Sequence, residues 1–502
     1  MTSMQTAETA NPYLEGFLAP VDAEVTATDL PVTGHLPEHL DGRYLRNGPN
    51  PAAEVDPATY HWFSGDGMVH GVALRDGKAR WYRNRWVRSL SVCATLGEPA
   101  PRRLDPRAGI VSMGANTNVL THAGRTLALV EGGVANYELT DDLDTVGTCD
   151  FDGTLYGGYT AHPHRDPRTG ELHAVSYSYA RGRTVQYSVI DTRGRARRTV
   201  DIEVSGSPMM HDFSLTEKYV VIYDLPVTFD PVQVLPVNAP RWLSVPARLA
   251  LQSLIGRVRV PDPITAMMNR NPKHSDRMPY SWNPRYPARI GVMPREGHGS
   301  NAGKDAIRWF EIEPCYVYHP LNAYSEMRDG HEFLVLDVVS YERMFDRDRH
   351  GPGDCPPTLD RWTINLTTGA VSAERRDDRP QEFPRIDEGR LGSRHRFGYT
   401  VGFGYLGDGK SGSSTSLYKH DYETGSCETA SLDPDLRIGE MSFVPNPSAR
   451  AEDDGVLMGY GYHGGRDEGQ LLVVDAQTLE PMATVHLPQR VPMGFHGNWA
   501  PS

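Results

Sequence analysis

Four histidines in this chain of 502 residues stand in company unusual for the residue: His162 in "YTAHPHRDP", His211 in "MMHDFSLTEKYVVIYD", His319 in "YVYHPLNAY" and His496 in "GFHGNW". Each is flanked by small, apolar or aromatic residues, where a protonated imidazole would be poorly solvated. A neutral imidazole suits such a place, and it is the neutral ring that binds a metal. The separations of 49, 108 and 177 residues exclude a local chelate such as H-E-x-x-H, which needs two ligands on one helical face. By ligand type, an all-imidazole site would take Fe, Cu, Zn or Ni. Four packed core histidines among the nineteen in the chain would read the same way.

A metal site therefore requires an architecture that gathers distant residues. Glycine (49) and proline (39) punctuate short alternating runs of Val, Tyr, Thr and Trp, the pattern of strands and turns. A strand, a turn with Asp or Gly and a second strand recur at 71–87, 136–152, 187–204, 361–377, 417–433 and 471–487, with a seventh, longer-looped copy at 290–314. Spacing of roughly 50 to 65 residues suits four-stranded propeller blades. The fold class expected is thus all-β, a seven-bladed β-propeller, with a β-sandwich or a chance run of hairpins as the competing readings. In a propeller, inner strands from different blades converge, and histidines far apart in the chain can meet there.

The interval 230–285 breaks the pattern. Within it Leu251, Leu254, Ile255 and Val258 recur at helical spacing, with Arg248, Gln252 and Arg259 mainly opposite and Trp242 nearby. It reads as a helical insert whose 241–260 segment either packs on the propeller or rests on a membrane surface. Residues 1–11 read as a disordered tail and 12–502 as one propeller domain. No basic n-region and apolar core open the chain, and no apolar run approaches the roughly 18 to 20 residues of a spanning helix. A net charge of −13 argues against nucleic acid as a partner. Five scattered cysteines without a C-x-x-C pair form neither a disulfide framework nor a zinc signature, so a reducing, cytoplasmic setting is expected, at most at the inner face of the membrane.

The motifs "LRNGPNP" (45–51), "HWFSGDGMVHG" (61–71), "TAHPHRDP", "HDFSLTEKY", "HPLNAY", "EFPRID" (382–387), "GEMSFVP" (439–445) and "GFHGNW" follow one another from about residue 12 to the end. Together they resemble the carotenoid cleavage oxygenases, especially bacterial, actinobacterial-type members. The resemblance implies a propeller whose axis holds a non-haem Fe(2+) on His162, His211, His319 and His496, under a lid of loops and short helices over one face. It also implies three glutamates behind the ligands, matching Glu131 in "ALVEGG", Glu382 and Glu440, and a threonine beside an open coordination position, matching Thr117 in "GANTNV". A carboxylate that accepts the imidazole's other N–H fixes which nitrogen faces the metal and makes it a better donor.

The activity so implied is cleavage of a carbon–carbon double bond of a carotenoid or apocarotenoid by O2, giving two aldehyde or ketone products. An elongated apolar polyene would gain about 25 cal/mol per Å² buried in an apolar tunnel. Oxidative cleavage of phenolic stilbenes or phenylpropanoids is the second reading; its enzymes carry a lysine just before the first glutamate, where this chain has Val130. A retinoid isomerase shares the iron site, and a non-catalytic propeller that binds partners on its faces is the reading from another class. A scaffold has no use for all seven metal-site residues. The oligomeric state is not legible.

Overall fold

The protein is described here by a computed structural model covering residues 11–230, 279–296, 307–347, 355–403 and 415–502. Its strands form seven antiparallel sheets arranged as the blades of a β-propeller, plus a separate two-stranded ribbon. From the first strand outward, the second blade runs Asn118–His122, Arg125–Leu129, Tyr137–Leu139, Thr145–Thr148, and the third His164–Arg165, Leu172–Ser176, Thr184–Ile190, Ala196–Glu203. The fourth runs Phe213–Leu215, Tyr219–Asp224, Arg289–Pro294, Arg308–Glu311, and the fifth Tyr316–Arg328, His331–Tyr341, Thr358–Asn365, Val371–Asp377. The sixth runs Gln381–Arg385, Phe397–Gly402, Ser416–Asp421, Cys427–Ser431. Each of the seven hairpins expected from sequence supplies a second-to-last or last pair of such a ladder; at 290–314 the connecting loop lies outside the described residues.

Ring closure joins the two ends of the chain. In the first blade the C-terminal strand Gly497–Pro501 pairs with Gly42–Pro49, which continues into Gly67–Arg75 and Lys78–Trp86. In the seventh, built on Leu436–Ile438, Ser442–Pro445, Gly455–His463, Glu468–Asp475 and Pro481–His486, the outer edge is completed by Val32–Gly34 from the N-terminal side. These pairings join the first and last blades through both ends of the chain and close the ring.

Local sequence explains the hairpins. Asp76 and Gly77, at φ 53° and 65°, form a two-residue turn between Gly67–Arg75 and Lys78–Trp86, the left-handed pair for which Asp-Gly is suited. Alternation along the strands sends side chains into two different layers, one on each face of a blade. Tyr44 packs with Val456, Tyr460 and Leu471 of the seventh blade, whereas its neighbour Leu45 packs with Val119, Ala128 and Tyr137 of the second. The core is thus a succession of apolar layers between blades, with the first strand of each blade toward the middle of the ring.

The described residues hold one α-helix, Leu90–Leu96, capped by the Ser89 side chain on Val92 N–H and ended by Gly97 in the left-handed conformation. No helix among them is long and apolar enough to cross a membrane. The ends of the expected insert are joined by the ribbon Val227–Phe229 with Tyr280–Trp282. Residues 231–278, including the 241–260 segment, lie outside the described residues, as do residues 1–10.

Candidate metal centre

The first strands of neighbouring blades touch, Phe213–Leu215 against Tyr316–Arg328 and Gly497–Pro501 against Asn118–His122. The four histidines sit on or just before such strands. His162 precedes His164–Arg165 and His211 precedes Phe213–Leu215. His319 lies inside Tyr316–Arg328 where the pairing register slips between Val317 and Pro320, a bulge that re-aims a side chain. His496 is fixed by its own peptide: its N–H donates to Thr117 O at 3.0 Å and its carbonyl accepts from Asn47 N–H at 3.0 Å. A strand that ends the chain is thereby tied into the middle of the ring.

One ring nitrogen from each of His162, His211, His319 and His496 falls within a cluster 4.8 Å across. The centroids of the His162 ring and those of His211 and His496 are 4.3 and 4.5 Å apart. Behind the rings stand the three glutamates. Nδ1 of His319 hydrogen-bonds Glu382 Oε2 at 2.7 Å, and Nδ1 of His496 hydrogen-bonds Glu440 Oε1 at 2.9 Å. Glu131 Oε2 comes within 2.9 Å of His211 Nδ1, off the hydrogen-bonding direction. Each carboxylate has further donors. Glu382 accepts from Tyr341 at 3.0 Å, Glu131 from Tyr177 at 3.1 Å, and Glu440 from Arg385 Nε at 3.0 Å and Gly497 N–H at 2.8 Å.

This arrangement fits a metal cation. With Nδ1–H turned to a carboxylate, Nε2 of His319 carries a bare lone pair, and Nε2 of His211 lies 3.2 Å from it. Two imidazole nitrogens bound to one first-row ion at about 2.0 to 2.1 Å would stand about that far apart. Nε2 of His162 is buried with no hydrogen-bond partner, which is costly unless something of positive charge takes its lone pair. Burial, reinforced by the other three imidazoles, holds His162 well below the ordinary histidine range. Burial likewise brings His496 down to about 4 against the pull of Glu440. At neutral pH both rings are therefore neutral, the form able to bind a metal.

Thr117 is buried nearby, its hydroxyl donating to Asn116 Oδ1 at 3.0 Å and its carbonyl holding His496. His164 is not in the cluster; its Nε2 hydrogen-bonds Asp212 Oδ1 at 2.8 Å, while Asp212 Oδ2 stands 3.8 Å from His162 Nδ1. Sequence reasoning missed Asp212, although it directly follows the ligand candidate His211, and missed Arg385, two residues after Phe383 in "EFPRID". Phe383 has a φ of 52°, uncommon for a bulky residue, and lays its ring on His319 at 5.8 Å. A cavity of about 160 Å³ opens on His162, His319 and His496 and is lined both by polar groups such as Asn118, Asp212 and Arg385 and by apolar ones such as Leu321, Phe383 and Ile386. A separate aromatic wall runs from Trp62 and Phe63 through Phe495 and Tyr318 to His211, with Tyr318 edge-on to His211 at 4.8 Å.

The chain matches the family model described as retinal pigment epithelial membrane protein over residues 18–501. It is 75% identical over 505 residues to a carotenoid cleavage oxygenase of Mycobacterium tuberculosis, covering 100% of both chains. It is 31% identical to carotenoid 9,10(9',10')-cleavage dioxygenase 1 of Arabidopsis thaliana, with 96% of this chain and 89% of that one covered. In fold it is similar to the crystal structure of a Pseudomonas brassicacearum lignostilbene dioxygenase, with a TM-score of 0.77 at 24% identity and full coverage of both chains.

Proposed function

The chain belongs to the family of the carotenoid cleavage oxygenases, and from that premise we propose that it uses one Fe(2+) and O2 to split a carbon–carbon double bond of a carotenoid or apocarotenoid into two carbonyl products. The observation that carries the reading is the set of four converging imidazoles, two with Nδ1 hydrogen-bonded to a buried glutamate and a third within 2.9 Å of one. When bound, the ion supplies O2 activation next to the substrate. His162, His211, His319 and His496 hold it through neutral nitrogens and leave its charge undiminished. Glu131, Glu382 and Glu440 keep the rings oriented, and Thr117 limits access on the side of His496.

The residues around the centre have two further tasks. Trp62, Phe63, Tyr318 and Phe495 give an apolar wall on which a rigid polyene can lie, and apolar contact fixes position without demanding polar groups on the substrate. Sealing by those rings also keeps bulk water from the reacting bond. Val130 offers no ammonium for a phenol, so the phenolic reading lacks the group its enzymes carry.

The test is metal analysis of protein purified without added metal, followed by mixing with carotenoid in air. The expected result is about one iron per chain, loss of the polyene absorbance and two carbonyl fragments by mass spectrometry. Iron-loaded protein that leaves carotenoids intact and cleaves a stilbene would overturn the substrate class.

A further inference from the structure

Arg46, in the "LRNGPNP" motif, is only 5% exposed, yet no carboxylate or other acceptor among the described residues pairs with it, and its Nε is sealed without a hydrogen-bond partner. It projects from Gly42–Pro49 on the face that meets the seventh blade, directly opposite His70 on the neighbouring strand and beside Tyr44, two residues earlier on the same face. Across the seam stands Tyr460, with Arg46 Cζ 5.5 Å from its ring centroid and the Tyr44 ring 5.3 Å away. The hydroxyls of Tyr44 and Tyr460 are both buried without a partner.

The other polar side chains around Arg46 carry no charge: the phenols of Tyr44, Tyr82 and Tyr460, Gln489, and His70, which burial holds well below the ordinary histidine range. Tyr82 OH accepts from Gln489 Nε2 at 3.1 Å and is hydrogen-bonded to His70 Nδ1 at 3.0 Å. Glu440 is the carboxylate whose charge acts on Arg46 through space, and its oxygens already serve His496, Arg385 and Gly497 N–H. The guanidinium is pressed under the main chain of the segment leading to His496: a Cβ at Gly494 would fall 1.7 Å from Nη1. A buried cation without a counter-charge carries a large desolvation penalty. A water would satisfy its N–H groups but not its charge.

We propose that the seam between the first and seventh blades binds a small monovalent anion of halide size, held by the Arg46 guanidinium with the hydroxyls of Tyr44 and Tyr460. The anion supplies the counter-charge that the Arg46 guanidinium lacks and steadies the strand that delivers His496.

The test uses the full iron-loaded chain, unfolded by heat in sodium gluconate or sodium bromide at constant ionic strength, and crystals grown in bromide. The unfolding equilibrium constant should fall up to tenfold for each tenfold rise in bromide above its Kd. An anomalous bromine peak should lie within hydrogen-bonding distance of the Arg46 guanidinium. Arg46→Met should abolish both effects, and Tyr44→Phe with Tyr460→Phe, which keeps the charge, should weaken the bromide dependence. Bromide-independent unfolding of the wild type, a dependence unchanged in Arg46→Met, or a peak without anomalous signal, as a water would give, overturns the proposal. Should Arg46→Met fail to fold, the wild-type anomalous map and the double phenylalanine variant decide.

Discussion

Replacing Glu440 by glutamine separates its two duties. Glu440 is 5% exposed and receives three donors: His496 Nδ1–H and Arg385 Nε–H on Oε1, and Gly497 N–H on Oε2. A glutamine can keep its oxygen toward His496 and Arg385 only by turning its NH2 group onto the Gly497 N–H. One buried donor is then left unsatisfied, at about 1 to 3 kcal/mol of stability. The imidazole also loses the negative charge that made it a stronger donor to the metal, and such changes weaken metal binding by about 10- to 100-fold, or about 1.4 to 2.8 kcal/mol.

Ser442→Ala provides the control. The Ser442 hydroxyl donates to Gly497 O at 2.9 Å and makes no bond to His496, so its loss should cost about 1 kcal/mol of stability with iron affinity unchanged. The assay is iron competition against a chelator at neutral pH, alongside urea unfolding of the metal-free protein. If Glu440→Gln lowered stability like Ser442→Ala while holding iron with wild-type affinity, the carboxylate would be a structural acceptor for the C-terminal turn and nothing more.

Other expected outcomes differ in what they probe. His162→Ala should lose iron and activity, whereas His164→Ala should retain iron, because His164 engages Asp212 and lies outside the imidazole cluster; atomic absorption on both variants is the check, and the reverse pattern would refute the ligand set. Burial brings His395 down to about 4 in the folded protein from an ordinary 6.5, so between those values the unfolded state binds the extra proton. Stability should therefore fall as pH drops from about 6.5 to about 4, by about 3 kcal/mol from this group, and urea titrations at pH 7.5 and 4.5 should show a smaller difference in His395→Gln. For the 241–260 segment, Leu254→Glu with Ile255→Glu should abolish sedimentation with liposomes while leaving iron content and cleavage of detergent-dispersed substrate intact. Loss of the melting transition in that variant would instead favour a packed segment.

The architecture was legible where strands repeat and opaque where the chemistry is. The seven hairpins stand out in sequence because they alternate in hydrophobicity and end in turns such as Asp76-Gly77, and each is the outer part of a blade. The first strands are poor in pattern. His164–Arg165 is two residues long and Phe213–Leu215 three, while His319 sits at a break in the pairing of the longer Tyr316–Arg328. The histidines were visible through their apolar flanks, but composition alone favoured packed core residues, and only the ordered motifs favoured a metal site. Asp212 and Arg385 escaped notice because a carboxylate or guanidinium beside a ligand looks like any surface charge until its burial is known.

On the proposed ligand set, the position of His496 links metal binding to closure of the ring. Three of the four imidazoles are delivered by strands interior to the chain, but His496 arrives only when Gly497–Pro501 pairs with Gly42–Pro49. Its peptide is held by Thr117 and Asn47 and its ring by Glu440, so the docked strand fixes the position of the imidazole. An ion bound by all four rings must in turn favour the docked strand, since a ligand that binds only the folded form stabilises it. The end of the chain, where fraying is the rule, is thus bonded on three sides: by the ladder, by Glu440 on Gly497 N–H, and by Arg385 on Gly497 O at 2.7 Å. That density of polar contacts in a terminal segment makes sense if the segment carries a residue whose position must not drift.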